Sequence, residues 1–160
     1  MKAVSDTSPL SYLVLIGRTD LLPKLFTAVS IPEAVRAELA SGRAPSAIQK
    51  WISQPPPWLV IDSTALPADA TLDRLHAGER AAILLAELSA ADLVLLDERA
   101  ARTVAVGRGL RVSGLLGTLR EAADRGLVDL PTAVQALLSA GFRASPALLK
   151  SLLGGATEQS

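Results

Sequence analysis

The chain has no cysteine, which removes disulfides and thiolate chemistry and fits a reducing, cytoplasmic setting. It has a single histidine, His76, so a polyhistidine metal site or a histidine-dependent triad has almost no material to be built from. Aromatic residues make up only 3%: Tyr12, Phe26, Trp51, Trp58 and Phe142, most of them with a core role at least as good as any other. Net charge is also missing, because 16 basic residues balance 16 acidic ones, and the chain as a whole is no strongly basic polymer binder. No apolar run approaches the roughly 20 residues that a membrane span needs, so no membrane partner is expected. No signal peptide is expected either, because Asp6 interrupts the start before an apolar stretch develops.

What is present is enough apolar material for one core. The 160 residues are 49% hydrophobic with a mean hydropathy of +0.35, which suits a single domain and argues against disorder. Strand-like pieces alternate with helix-like ones: Ala3-Val4, Val29-Ser30-Ile31, Trp58 to Ile61, Leu93 to Leu96 and Leu110 to Val112 stand between helical patterns. The segment from Asp62 to Ala77 is polar and reads as a loop with one helical turn. This alternation predicts an α/β fold with a mostly parallel central sheet covered by helices on both faces. The domain is expected over residues 1–153, with 154–160 as a flexible tail.

The most informative stretch is Asp6-Thr7-Ser8-Pro9, read as a strand ending in a carboxylate, then a hydroxyl cap and a proline that opens a helix. Leu93 to Leu96 runs into Asp97 in the same way. Strand ends are where open α/β sheets place ligands. Two helix-borne carboxylates join these aspartates. Glu38 lies between Val35 and Leu39, beside the buried stripe of its helix, and Glu79 lies four residues before Ile83 in the first turn of another. Each has a plainer use: a cap for Asp6 or Asp97, a complement to the helix dipole for Glu79, an exposed helix position for Glu38. Together, buried carboxylates repel one another unless a divalent ion compensates them. With oxygen donors only, that ion would be Mg²⁺ or Mn²⁺. Arg99, Arg102, Arg108 and Arg111 crowd together after Asp97, opposed only by Glu98, either as a solvated helix face or as a local basic patch.

This set resembles the PIN-domain ribonucleases, which include VapC-like toxins, and within them a poorly characterised PIN-like branch. Asp6-Thr7-Ser8-Pro9-Leu10 resembles that branch's N-terminal motif, and Ile31 to Val35 followed by Glu38 its second acidic motif. Gly78-Glu79-Arg80-Ala81-Ala82 is similar to its Gly-Glu helix start. Leu95 to Arg102 is similar to its Asp-rich strand end, and Gly141 to Ser145 also fits. The family pattern usually has an aspartate where this chain has Glu79.

The resemblance implies a three-layer αβα PIN-like fold. It also implies that Asp6, Glu38, Glu79 and Asp97 are catalytic and hold Mg²⁺ or Mn²⁺, with Ser8 in support. Arg99 and Arg102 would then hold RNA phosphates, and the activity would be RNA hydrolysis by the toxin of a toxin–antitoxin pair. A cognate antitoxin over the acidic groove and a homodimer are implied as well. Leu137, Leu138, Leu148, Leu149, Leu152 and Leu153 are the expected dimer surface. The competing expectation is a PIN-like scaffold that binds a protein or nucleic acid without cutting. A HAD-type phosphatase also begins with a strand-end aspartate but wants a second one two residues on, where this chain has Ser8.

Overall fold

The computed structural model describes residues 1–158, with side chains through Gly154. Five short strands, β1 (Lys2–Ser5), β2 (Ala28–Pro32), β3 (Leu59–Asp62), β4 (Leu93–Leu95) and β5 (Val112–Ser113), form one sheet in the order β3-β2-β1-β4-β5. Every pairing is parallel. Parallel strands must be joined by crossovers, and helices supply them. The helices are α1 (Thr7–Leu15), α2 (Leu21–Leu25), α3 (Glu33–Ala40), α4 (Ser46–Ser53), α5 (Ala77–Leu88), α6 (Arg99–Gly107), α7 (Leu115–Asp124), α8 (Leu130–Ser139) and α9 (Pro146–Glu158). The polar segment before α5 contains one 3₁₀ turn, Ala70–Leu72.

Alternation along the strands sorts the core into two halves. Val29, Ile31, Leu93 and Leu95 face one side and pack with α1, α2, α3, α4, α7 and α8. Val4, Val94 and Leu96 face the other and pack with α5 and α6 through Ile83, Leu85, Ala101 and Ala105. Strands buried on both faces carry near-continuous apolar runs, which is why Leu93 to Leu96 has no polar alternation. The result is the three-layer αβα arrangement that the alternating pattern predicts.

The connections leave one place where the sheet changes direction. From β1 the chain steps outward to β2 and β3, then returns to lay β4 on the opposite side of β1. The register sets Ser5 beside Leu95, so the residues that follow, Asp6 and Leu96-Asp97, leave the sheet side by side. A switch point of this kind opens a crevice beyond the strand ends.

The ends of several elements differ from expectation. Asp6 itself is the N-cap residue of α1, and Pro9 is the third helical residue rather than the opener. Proline is tolerated there because first-turn amides have no intrahelical acceptor. Helix α9 runs to Glu158, past the expected tail boundary at residue 154; residues 159–160 of that tail lie outside the described part. Glycine inside a helix costs about 1 kcal/mol relative to alanine and weakens a helix without forbidding it. Of the six C-terminal leucines, Leu137 is fully buried, and Leu149, Leu152 and Leu153 pack against the larger core. Leu138 and Leu148 remain exposed.

Candidate active site

Asp6 is held by strand pairing: its amide donates to the Leu95 carbonyl at 3.0 Å, which fixes the carboxylate just beyond the β1–β4 seam. Only 5% of the residue is exposed. Burial raises its pKa to about 7; the neighbouring charges of Glu79, Glu38 and Asp97 push the same way, against the Thr7 backbone.

Asp97 is anchored by the start of α7. Its Oδ1 accepts from the Leu115 amide at 2.7 Å and its Oδ2 from the Ser8 hydroxyl at 3.3 Å. Gly114 makes this approach possible, because a Cβ there would stand 2.5 Å from Arg102 Nη1 and 3.1 Å from Asp97 Oδ1. Burial raises the Asp97 pKa, opposed by the Leu115 amide, the Ser8 hydroxyl and the Arg102 charge. Asp97 therefore does not cap the helix that follows it in sequence; it meets the N-terminal end of a helix 18 residues further on.

Glu38 reaches the same place from α3. Its carboxylate is gripped between the Thr7 hydroxyl and the Gly78 amide, the latter at 3.0 Å. Gly78 is closely fitted: a Cβ would lie 2.7 Å from Glu38 Oε1 and 3.0 Å from Asp6 Oδ1. Glu79, 5% exposed, turns back to accept from the His76 amide at 2.9 Å and so caps α5. Glu79 points inward, and at the start of α5, where a dipole complement was the plainer expectation, it also closes a capping box with His76.

The four expected carboxylates are thus gathered at one end of the sheet. Among the described residues, none of them forms an ion pair with a Lys or Arg. The donor set is oxygen only, with Asp6 and Glu79 buried and Glu38 and Asp97 half-buried, a chemistry that suits a hard divalent ion. Thr7 and Gly78 already hold Glu38, the His76 amide holds Glu79, and the Leu115 amide holds Asp97. Among the described residues, no three Asp, Glu or His side chains stand arranged as a ligand set.

Two recesses meet at this point. One, of about 830 Å³, is lined by Asp6, Glu38 and Glu79 with Arg43 and His76. The other, of about 730 Å³, is lined by Asp97, Arg102 and Arg143. Ser8, Tyr12 and Glu98 line both, so the two form one groove across the acidic centre. A shallower hollow holds Asp97 with Arg99 and Arg102. Arg43, Arg99, Arg102 and Arg143 make no ion pair among the described residues, whereas Arg18, Arg36, Arg108, Arg120 and Arg125 each hold a carboxylate. Zero net charge is therefore compatible with free guanidinium groups lining one groove. Of the arginines after Asp97, Arg99 and Arg102 keep their expected place, but Arg108 is bound to Asp69 and Glu87 at 2.9 and 2.7 Å.

Sequence reasoning missed Thr7 as the partner of Glu38, and it missed Arg43 and Arg143 as groove residues. Thr7 carried a local signal, since a hydroxyl immediately after a strand-end aspartate shares the first turn that aims into the crevice. Arg143 lay in the Gly141 to Ser145 stretch that fits the family pattern, but neither it nor Arg43, which follows Glu38 by five residues in the turn after α3, stands on a helix face or strand end that would aim it at the groove.

An αβα sheet with buried carboxylates at its switch point defines a class of acidic-cleft α/β proteins. A family model described as a PIN domain matches residues 2–158, nearly the whole chain, and the chain belongs to that family. No curated protein and no solved structure matches it. Among the described residues no helix is long and apolar enough to cross a membrane.

Proposed function

We propose that this protein is a metal-dependent endoribonuclease, with Asp6, Glu38, Glu79 and Asp97 as its catalytic carboxylates. The observation that carries the reading is that buried Asp6 and half-buried Asp97 leave the sheet side by side at the β1–β4 switch point, both with raised pKa, in a groove lined by arginines that form no ion pair among the described residues. Family membership supports nuclease chemistry in general. Asp6, Glu38, Glu79 and Asp97 would hold Mg²⁺ or Mn²⁺, which supplies a deprotonated water for in-line attack and stabilises charge on the phosphate.

The chain's own residues do the rest. Asp97, braced by Leu115 and Ser8, would be a fixed ligand. Asp6, whose pKa burial raises to about 7, would hold the ion in its deprotonated form, so that binding would be coupled to proton loss. Arg99 and Arg102, joined by Arg43 and Arg143 at the two ends of the groove, hold phosphates on either side of the scissile bond.

The resemblance of the Asp6 to Leu10 motif supports a finer reading: the toxin of a toxin–antitoxin pair, cytoplasmic, homodimeric, and covered at the groove by its antitoxin. Leu138 and Leu148 are the leucines of the C-terminal helices left exposed for such contacts.

A second reading, a scaffold that binds without cutting, draws on two observations: Glu38 and Glu79 already accept hydrogen bonds from Thr7, Gly78 and His76, and no three acidic or histidine side chains form a ligand set among the described residues. Cleavage of a labelled single-stranded RNA in Mn²⁺ or Mg²⁺ separates the two. The nuclease reading expects cleavage that chelator abolishes and that Asp97→Asn reduces at least a hundredfold while the fold is kept. Equal cleavage by wild type and Asp97→Asn assigns the activity to a contaminant and leaves the scaffold.

A further inference from the structure

Tyr12 and Phe142 occupy the one part of the groove that neither the carboxylates nor the arginines explain. Their rings pack edge to face with centroids 5.1 Å apart and planes at 88°. Both rings are half-buried and both line the recess that holds Asp97 and Arg143; Tyr12 also lines the recess that holds Asp6. Tyr12 is four residues after Ser8 on α1, so it shares a face with the serine that braces Asp97 and stands one turn, about 6 Å, along the axis. Phe142 follows Gly141, whose φ of +97° belongs to the left-handed region where glycine is the natural occupant. The turn is fastened by the Gly141 amide to the Leu138 carbonyl at 3.1 Å and the Phe142 amide to the Leu137 carbonyl at 3.0 Å. Tyr12 is therefore carried by α1, and Phe142 by the hydrogen-bonded turn that closes α8.

Resting on the ribonuclease reading, we propose that the Tyr12–Phe142 pair is a stacking platform for one unpaired base of a single-stranded RNA, next to the scissile phosphate on the Arg143 side. Every base has a π face, so a platform of this kind binds single strands with little regard to sequence. It needs a base that is free to leave its stack, which a duplex does not offer. The surrounding arginines supply the alternation such a strand requires: phosphate on Arg102 and Arg143, base on the rings, then the acidic centre. The chain is poor in aromatics, with five in 160 residues, and two of these five meet in the groove. Both close aromatic pairs pack against the larger core, but the other one, Trp51 with Trp58, lines none of the groove's recesses.

The test uses the full chain carrying Asp97→Asn, so that the strand survives, and a fluorescein-labelled oligouridine of about ten nucleotides read by anisotropy. A second set of strands carries a single abasic site at successive positions. In the Asp97→Asn background, Phe142→Leu is expected to weaken binding about tenfold with an unchanged salt slope. Phe142→Tyr should retain affinity, and melting curves check that each variant folds. One abasic position should cost the parent the same factor and cost Phe142→Leu nothing more, because the partner ring is already gone. Equal binding with and without Phe142, or an abasic loss that simply adds to the Phe142→Leu loss, overturns the platform. If wild type cuts RNA while either result holds, only the platform falls. If no strand is bound or cut, the ribonuclease reading falls with it.

Discussion

The groove and the remaining surface use the same charged residues in opposite ways. Over the surface, acid and base sit within reach: Arg18 and Lys24 share Asp20, Arg36 meets Glu33, Arg120 meets Asp124 and Arg125 meets Glu121. In the groove, four carboxylates crowd together, and the nearby arginines hold no carboxylate. Exposed pairs are worth little, about 0.2–1 kcal/mol each, so the surface gains modest stability from its arrangement. Crowded carboxylates, of which Asp6 and Glu79 are buried, cost stability, and the fold bears that cost at one sheet end. Where a chain leaves charge unpaired and buried, a charged ligand is the physical counterpart that would relieve it.

The contrast has a pH signature, and it is the largest stability effect expected. In the folded, metal-free chain Asp6 keeps its proton to about pH 7, whereas its ordinary pKa is 3.8. Between those values the folded state binds more protons than the unfolded one, so stability falls as pH rises through the window and levels off above it. The full effect is on the order of 4 kcal/mol. Asp20, Asp69 and Asp129 are shifted the other way by their partners: side-chain bonds from Arg18 and Lys24 oppose burial at Asp20, Thr71 and Arg108 act on Asp69, and Thr132 acts on Asp129. Their contribution is present above pH 4 and is lost as the pH drops through their lowered pKa values. Urea unfolding in chelator should therefore show wild type weaker at pH 8 than at pH 5, with Asp6→Asn keeping only the slope that the raised pKa of Asp97 leaves and more stable than wild type at pH 8. A wild type of equal stability at both values would mean that Asp6 is not buried as described.

Next in size is Gly78→Ala. The added Cβ meets the Asp6 carboxylate and the Glu38 carboxylate, the latter held by Thr7 and the Gly78 amide itself, so either Glu38 or the start of α5 must shift. A loss of about 1–3 kcal/mol is expected, as for other overpacking changes, together with loss of RNA cleavage. Gly107→Ala, a helical position whose Cβ would meet nothing within 4 Å, is the comparison and should keep both. Cleavage unimpaired in Gly78→Ala would show that the two carboxylates need not be where they are.

The smallest effect belongs to the surface. Arg125→Ala breaks an exposed i,i+4 pair with Glu121 and should cost under about 1 kcal/mol with no change in RNA affinity. Arg102→Ala, with no pair to lose, should leave the melting temperature unchanged and lower the salt slope of RNA binding by about 0.7. If the two arginines behaved alike in both assays, the division between groove and surface would be without consequence.

Much of this division was legible in the sequence. Asp6 and Asp97 announce themselves because each closes an apolar strand, and strand ends are fixed by the sheet rather than by side-chain choice. Glu38 and Glu79 follow from helical periodicity. What pattern could not supply were partners brought by the fold: Leu115 for Asp97, Thr7 and the Gly78 amide for Glu38, and Asp69 with Glu87 for Arg108. Arg108 looked like its neighbours Arg102 and Arg111 because sequence spacing does not record which loop packs beside a helix. The C-terminal leucines misled in the same way; their density suggested an exposed face, but most of them cover the core of their own domain.

The central claim, that the gathered carboxylates are a divalent-cation site, is tested most directly by calorimetric titration of Mn²⁺ into wild type and Asp6→Asn at pH 7. The account predicts saturable binding by wild type with proton release, seen as a heat that changes with the buffer's ionisation enthalpy, and no saturable binding by the folded variant. Identical isotherms for the two proteins, or a wild type that takes up no ion, would contradict it.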